Sequence, residues 1–70
     1  MNFDRAIKTL MAERGIRTKR ELAALSGLHV NTISNVMEST GLPLRSLPAI
    51  AQALGVTSSE ILRRAEASNE

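Results

Sequence analysis

The sequence predicts an all-α fold: a compact bundle of five short helices that contains a helix-turn-helix. Apolar residues recur at helical spacing along the chain, and no stretch alternates polar and apolar residues as a strand would. Glycine follows several apolar segments at the place where helices commonly end. Two segments, Thr18–Glu21 and Thr57–Glu60, have the spacing of a capping box, which is typical of a helix start.

Composition favours one small folded domain. The chain has 70 residues, of which 43% are hydrophobic, and a net charge of +2 from nine basic and seven acidic residues. Cysteine is absent, which excludes disulfides and thiolate metal sites and suits a reducing cytoplasm. Because no long apolar run occurs, we expect neither a membrane span nor a signal peptide. The chain begins with Met1 and shows no tag, so we expect a complete protein.

The first helix is predicted from Asn2, which caps it, to Arg14, with Gly15 ending it. Its apolar positions at helical spacing are Phe3, Ile7, Leu10 and Met11.

The second helix begins at Thr18, where the Thr18 hydroxyl and the Glu21 carboxylate are each expected to accept a backbone N–H. Its buried side is predicted to consist of Leu22, Ala23 and Leu25.

A sharp turn at Gly27 is predicted next, since glycine adopts the left-handed conformation without cost. The third helix then runs from about Val30 to Met37. Its inward residues are Ile33, Val36 and Met37, and its outer residues are Asn31, Thr32, Ser34 and Asn35. Strong helix formers are few, so tertiary packing must hold this helix.

A loop is expected over Glu38–Pro43, followed by a fourth helix over about Leu47–Leu54 with Ser46 as its cap and Gly55 as its stop. A fifth helix is expected to reach about Ala65. The predicted domain covers residues 1–66, and residues 67–70 form a short disordered tail.

This arrangement indicates DNA as a partner, because a helix with an apolar back and a small polar face suits the major groove. Arg14, Arg17, Lys19 and Arg20 cluster near the second helix, and Glu13 directly precedes the cluster. The cluster is either a phosphate-facing patch or a solvated helix junction.

At this point the chain resembles the phage repressor and Cro family of helix-turn-helix proteins, often called Xre-type. The resemblance covers roughly residues 10–62. It is carried by the segments Glu21-Leu22-Ala23, Gly27-Leu28, Thr32-Ile33-Ser34 and Leu47-Pro48-Ala49-Ile50-Ala51-Gln52-Ala53-Leu54-Gly55-Val56. It implies a lambda-repressor-like fold and a regulator of transcription that binds a palindromic operator in double-stranded DNA, as a homodimer, with its third helix in the major groove.

The resemblance places base-reading positions on the third helix, and the candidates are Val30, Asn31, Thr32 and Asn35. An Asn amide matches the N6 and N7 edge of adenine, and valine methyls can pack on a thymine methyl. Each Asn could instead be solvated, Asn31 could be a local cap, and Val30 could simply pack. Candidates for the DNA backbone are Arg17, Thr18, Lys19, Arg20, His29, Ser34, Ser39, Thr40 and Arg45.

Some positions depart from the family pattern. Lys19 stands where the family usually has Gln, and His29 stands at the third helix's cap, where Ser or Thr is usual. Met11 and Met37 stand where many members pair a buried Arg with a Glu, so an apolar contact is expected in place of an ion pair.

Three residues, Val56, Ile61 and Leu62, are either a dimer interface or only core. The alternative function is an antitoxin-type module that binds both DNA and a toxin. An enzyme is not expected, because one histidine and no cysteine offer no catalytic constellation. We expect no cofactor, no metal, no membrane partner and no small-molecule ligand, and a cytoplasmic location in a bacterial or phage-infected cell.

Overall fold

The computed structural model describes residues 2–38 and 45–67. Within them the chain forms five α-helices and no strand, which confirms the predicted fold class. The helices are α1 (Phe3–Arg14), α2 (Lys19–Ser26), α3 (Val30–Met37), α4 (Leu47–Leu54) and α5 (Ser58–Ala67).

All five helices contribute side chains to one apolar core. α1 packs against α5 and α3, whereas α2 packs against α3 and α4. In the described part of the chain, no polar or charged side chain is buried. The largest fully buried side chains are Phe3, Ile7, Leu10, Leu22, Ile33, Leu47, Ile50, Leu54 and Ile61. The inward positions predicted for the first, third and fourth helices are therefore confirmed.

The turn between α2 and α3 depends on Gly27. Its φ is +75°, in the left-handed region that glycine adopts without steric cost. The N–H groups of Gly27 and Leu28 both donate to the carbonyl oxygen of Ala23, at 2.9 and 3.2 Å. Half-buried Leu28 packs against the core and fixes the direction in which α3 starts.

The hydroxyl half of each predicted capping box is present. Thr18 Oγ1 accepts from the N–H of Glu21 at 3.1 Å, and Thr57 Oγ1 accepts from the N–H of Glu60 at 3.1 Å. The carboxylate half differs from the prediction. Glu21 accepts from the N–H of Arg17 at 3.0 Å, whereas a capping box would use the N–H of Thr18. Glu60 accepts instead from the side chains of Arg63 and Arg64 on its own helix.

Leu25 was predicted to lie on the buried side of α2, and this is wrong: 59% of it is exposed. On an eight-residue helix the core-facing stripe is narrow, and it runs through Leu22 and Ala23 to half-buried Ser26. Leu25 lies outside that stripe.

Ser46 precedes α4 but makes no side-chain cap bond, contrary to the prediction. Its backbone is helical, with φ −93° and ψ −20°, and not in the extended conformation that a capping side chain requires. Pro48 in the first turn also removes one of the N–H donors that a cap would satisfy.

The last helix is longer than expected. Ala67, predicted to lie in the tail, is the final residue of α5, while residues 68–70 lie outside the described residues. Asn2, whose side chain caps α1 as predicted, also donates its backbone N–H to the carbonyl of Ala65 at 3.0 Å.

Two arginines join helices that are distant in sequence. Arg14 Nε donates to the carbonyl oxygen of Leu54 at 2.6 Å, and its Nη2 donates to that of Gly55 at 3.1 Å, so Arg14 caps the C-terminal end of α4. Arg64 on α5 donates to the carboxylate of Glu13 on α1 at 2.8 Å and to that of Glu60 at 2.9 Å.

The ion pair between Arg64 and Glu60 favours the charged form of both residues. The hydrogen bond from Arg64 is the main cause that lowers the pKa of Glu60, and the charge of Arg63 adds to it. The hydrogen bond to Glu13, followed by that to Glu60, raises the pKa of Arg64. These pairs connect the two ends of the chain across the surface of the bundle.

Candidate nucleic-acid interface

The outer face of α3 presents two carboxamides to solvent. Asn31 and Asn35 are exposed and lie one helical turn apart, so they project from the same side. The opposite side of α3 is fixed in the core by Ile33, Val36 and Met37, which are 0%, 4% and 3% exposed. The helix is thus held from behind while its polar face remains open.

His29, and not Asn31, caps α3. The Nδ1 atom of His29 accepts a hydrogen bond from the backbone N–H of Asn31 at 3.0 Å. An accepting Nδ1 carries no proton, so the neutral ring has its proton on Nε2, where it can be donated to an outside group. The imidazole of His29, and not the side chain of Asn31, is therefore the N-cap of α3.

The other predicted base-reading residues are less open. Val30 is half-buried and packs against the core, which supports the alternative that it contributes to packing. Thr32 is half-buried. A side chain in this position can present only part of its surface to DNA.

Lys19 and Ser34 connect the start of α2 to the outer face of α3. Lys19 Nζ donates to Ser34 Oγ at 3.4 Å, a long hydrogen bond, and both residues are half-buried. The bond engages only one of three ammonium protons, so the charge of Lys19 remains available to an anion.

The remaining described candidates for the DNA backbone lie on the surface near helix starts. Arg17, Thr18 and Arg20 are exposed around the N-terminal end of α2, and Arg45 is exposed two residues before α4. A helix N-terminus carries partial positive charge and favours phosphate. Ser39 and Thr40, which were also predicted to contact the backbone, lie outside the described residues.

A surface cavity of about 410 Å³ lies beside these residues, and we call it the basic groove. Its lining includes Lys8, Met11, Ile16, Arg17, Lys19 and Met37. Met11 and Met37 are 6% and 3% exposed and line the same space.

Lys8 is not among the basic residues that the sequence predicts to contact DNA, since it lies outside the cluster at residues 14–20. The signal was present, however. Lys8 precedes Met11 by three residues on α1, so the two share one face of the helix.

Of the three residues predicted as a dimer interface or core, Ile61 is core. It is 0% exposed, so its side chain is not available to a second subunit. Val56 and Leu62 are half-buried and pack against the core, with part of each side chain at the surface.

In residues 2–38 and 45–67, no helix is both long and apolar enough to cross a membrane. Among the same residues, no three side chains of His, Cys, Asp or Glu come together in a group suited to a metal ion.

These features define a small helix-turn-helix domain whose third helix keeps an open polar face, with Lys19 in contact with that helix. The Cro/C1-type HTH DNA-binding domain family matches residues 6–66, and the chain belongs to that family. A comparison with curated proteins found no match, and a comparison with solved structures found none either. Its membership of the Cro/C1-type family makes the protein a DNA-binding protein of the regulator class.

Proposed function

We propose that the protein regulates transcription by binding a specific, two-fold symmetric operator in double-stranded DNA as a homodimer. In this proposal α3 lies in the major groove of each half-site. The observation that carries it is the exposure of Asn31 and Asn35 on a helix whose other side is anchored in the core. Such a helix holds the backbone of its polar residues in place, which supports base recognition.

The base contacts follow from the chemistry of the carboxamide. The side-chain N–H of Asn31 or Asn35 can donate to N7 of adenine while the Oδ1 of the same residue accepts from the N6 amino group, and adenine offers this acceptor and donor side by side in the major groove. Half-buried Val30 and Thr32 lie beside them and can contact a thymine methyl. We therefore expect A·T base pairs at the positions that α3 reaches.

The proposed phosphate contacts come from residues on and near α2, α3 and α4. Arg17, Lys19 and Arg20 lie at the start of α2, and the Nε2–H of His29 points away from its cap bond. Ser34, Arg45, Thr18, Ser39 and Thr40 complete the proposed set. Contacts of this kind set the register of the protein on the duplex and carry no base information themselves.

Dimerisation supplies the affinity that one small subunit lacks, because two subunits on one duplex read two half-sites about one helical turn apart. Val56 and Leu62 are the proposed contact, since each keeps part of an apolar side chain at the surface near the start of α5. We also propose a cytoplasmic location in a bacterial or phage-infected cell.

In vitro selection of bound duplexes tests the proposal directly. The recovered sites should contain two A·T-rich half-sites related by a two-fold axis. Fluorescence polarisation at 150 mM salt should then show binding to the selected duplex at least 10³-fold tighter than to random duplex, the lower end of the usual range. Equal affinity for both duplexes would exclude sequence-specific regulation.

The dimer is tested separately by sedimentation of the protein on a full site and on a half-site. Two subunits should occupy the full site and one the half-site. Leu62→Glu should reduce occupancy of the full site to independent binding of single subunits, while Glu66→Gln, on the same helix, should leave paired binding intact.

A further inference from the structure

The basic groove extends beyond the proposed contacts of the helix-turn-helix: Arg17 and Lys19 belong to those contacts, whereas Lys8 does not. It lies between α1, the connection that leads into α2, and the end of α3. Met11, Ile16 and Met37 form its apolar floor, and all three are buried. Lys8, Arg17 and Lys19 form its rim.

The charge of the groove is of one sign. Three of its lining residues are cations and none is an acid. Two nearby acids already have partners: the Glu21 carboxylate accepts the backbone N–H of Arg17, and Asp4 pairs with Lys8 at 3.2 Å. An anion in the groove would therefore meet three positive side chains from two helices and the connection between them.

The pair between Lys8 and Asp4 does not prevent this use of Lys8. Both side chains are largely exposed, at 63% and 46%, and exposed pairs of this type contribute little. A phosphate beside the groove competes well with Asp4, because it offers several acceptor oxygens and a full negative charge.

The floor also matches a nucleic-acid strand. A DNA strand alternates anionic phosphates with less polar deoxyriboses, and a groove with cations above an apolar base offers both kinds of contact. Methionine side chains adapt readily to an irregular surface. Lys19 lies on the rim of the groove and also contacts Ser34 on α3, so the groove is continuous with the face of the recognition helix.

We propose that one DNA strand runs along the basic groove and that Lys8 binds a phosphate beyond those bound by Arg17 and Lys19. The interface thus extends from the helix-turn-helix onto α1. This inference rests on the proposed function, since it specifies how the same partner is held.

The test is the salt dependence of binding to the selected duplex. Each phosphate contact contributes about 0.9 to the slope of log affinity against log salt. Lys8→Gln should lower the slope by about 0.9 per subunit and weaken binding about threefold to tenfold per subunit at 150 mM salt. Lys8→Arg should restore both values. Base preference, measured with substituted duplexes, should not change in either variant.

Arg63→Gln is the matched control. It removes one positive charge, as Lys8→Gln does, but from an exposed residue of α5. Its slope should equal that of the wild type. Suppose that Lys8→Gln also keeps the wild-type slope while the wild type binds the selected duplex more tightly than random duplex. The groove then does not hold the DNA backbone, and this inference is overturned. If the wild type shows no discrimination, the proposed function itself has failed, which is a different result.

Methionine methyl NMR distinguishes a DNA strand from a small anion. With ¹³C-methyl methionine, addition of the selected duplex should shift the signals of Met11 and Met37, identified by Met→Leu substitution. Inorganic phosphate at the same concentration should not shift them. Shifts with inorganic phosphate and none with the duplex would assign the groove to a small anion and overturn the proposal.

Discussion

The ammonium group of Lys19 lies 3.4 Å from the hydroxyl oxygen of Ser34 and so connects the first helix of the helix-turn-helix to the second. This contact holds a flexible side chain near the place where a phosphate is expected. Lys19→Met should therefore weaken binding to all duplexes by a similar factor and lower the salt slope by about 0.9 per subunit. Polarisation titrations over a range of salt concentrations measure both effects.

Ser34→Ala separates the position of the charge from the charge itself. It keeps Lys19 but removes its partner, so it should weaken binding less than Lys19→Met does. In a Lys19→Met background, Ser34→Ala should have a smaller effect than in the wild type, because the two residues act through one contact. Additive losses would show that the contact has no role in binding.

Asn31→Ala should reduce discrimination without abolishing DNA binding. A bidentate contact to adenine contributes about 1–3 kcal/mol of preference over another base, and alanine can supply no hydrogen bond to the base edge. Affinity for the selected site should fall toward that for random duplex, with the salt slope unchanged. Gln52→Ala on the exposed side of α4 is the control, since it removes a carboxamide of the same chemistry away from α3. Equal discrimination in Asn31→Ala and the wild type would contradict a base-reading role.

Variants of His29 can separate the stability of α3 from its affinity for DNA. Loss of an N-cap side chain costs about 0.5–2 kcal/mol, so His29→Ala should unfold at lower urea concentration. His29→Asp should keep the cap, because a carboxylate accepts from the N–H groups of the first turn, yet it should weaken DNA binding by placing negative charge beside a phosphate.

His29→Ser provides the reference, as it restores a cap without charge. It should match the wild type in urea denaturation and bind DNA more tightly than His29→Asp. If His29→Ala is as stable as the wild type, the imidazole does not stabilise α3.

The sequence predicted the bounds of α3 correctly because local signals agree there: glycine in the turn, an apolar stripe and a polar face. It could not predict the contacts of Lys19 with Ser34 or of Arg14 with Leu54, which join residues 15 and 40 positions apart. Such contacts depend on how helices pack and have no local pattern. The prediction that Leu25 is buried was wrong for a related reason, since a short helix has too few turns to show which leucine faces the core.

Gly55→Ala should destabilise the fold more than Gly15→Ala does. Both glycines end a helix with positive φ, +72° and +73°, so alanine introduces similar backbone strain of about 1–2 kcal/mol at each. Around Gly15 there is open space, whereas a Cβ on Gly55 would collide with the guanidinium of Arg14. Displacing Arg14 would also remove its bonds to the end of α4, adding about 1 kcal/mol.

Urea denaturation of both glycine variants, alone and with Arg14→Ala, measures this difference. In the Arg14→Ala background the two substitutions should cost the same amount, because no guanidinium then occupies the space beside Gly55. A difference that persists without Arg14 would mean that another neighbour makes Gly55 necessary.

Glu60 should make the stability of the domain depend on pH. Its pKa is lowered in the folded state, chiefly by the hydrogen bond from Arg64, so the unfolded chain binds a proton at higher pH than the folded chain does. The stabilisation is therefore present above the ordinary glutamate range and is lost as the pH falls through that range and the lowered value. Glu60→Gln should have a lower Tm than the wild type at pH 7, and the two values should converge toward pH 3. Glu66→Gln, an exposed neighbour on the same helix, should show no such convergence. If the wild type and Glu60→Gln differ in Tm by the same amount at pH 7 and at pH 3, the ionised carboxylate of Glu60 is not the source of the stabilisation.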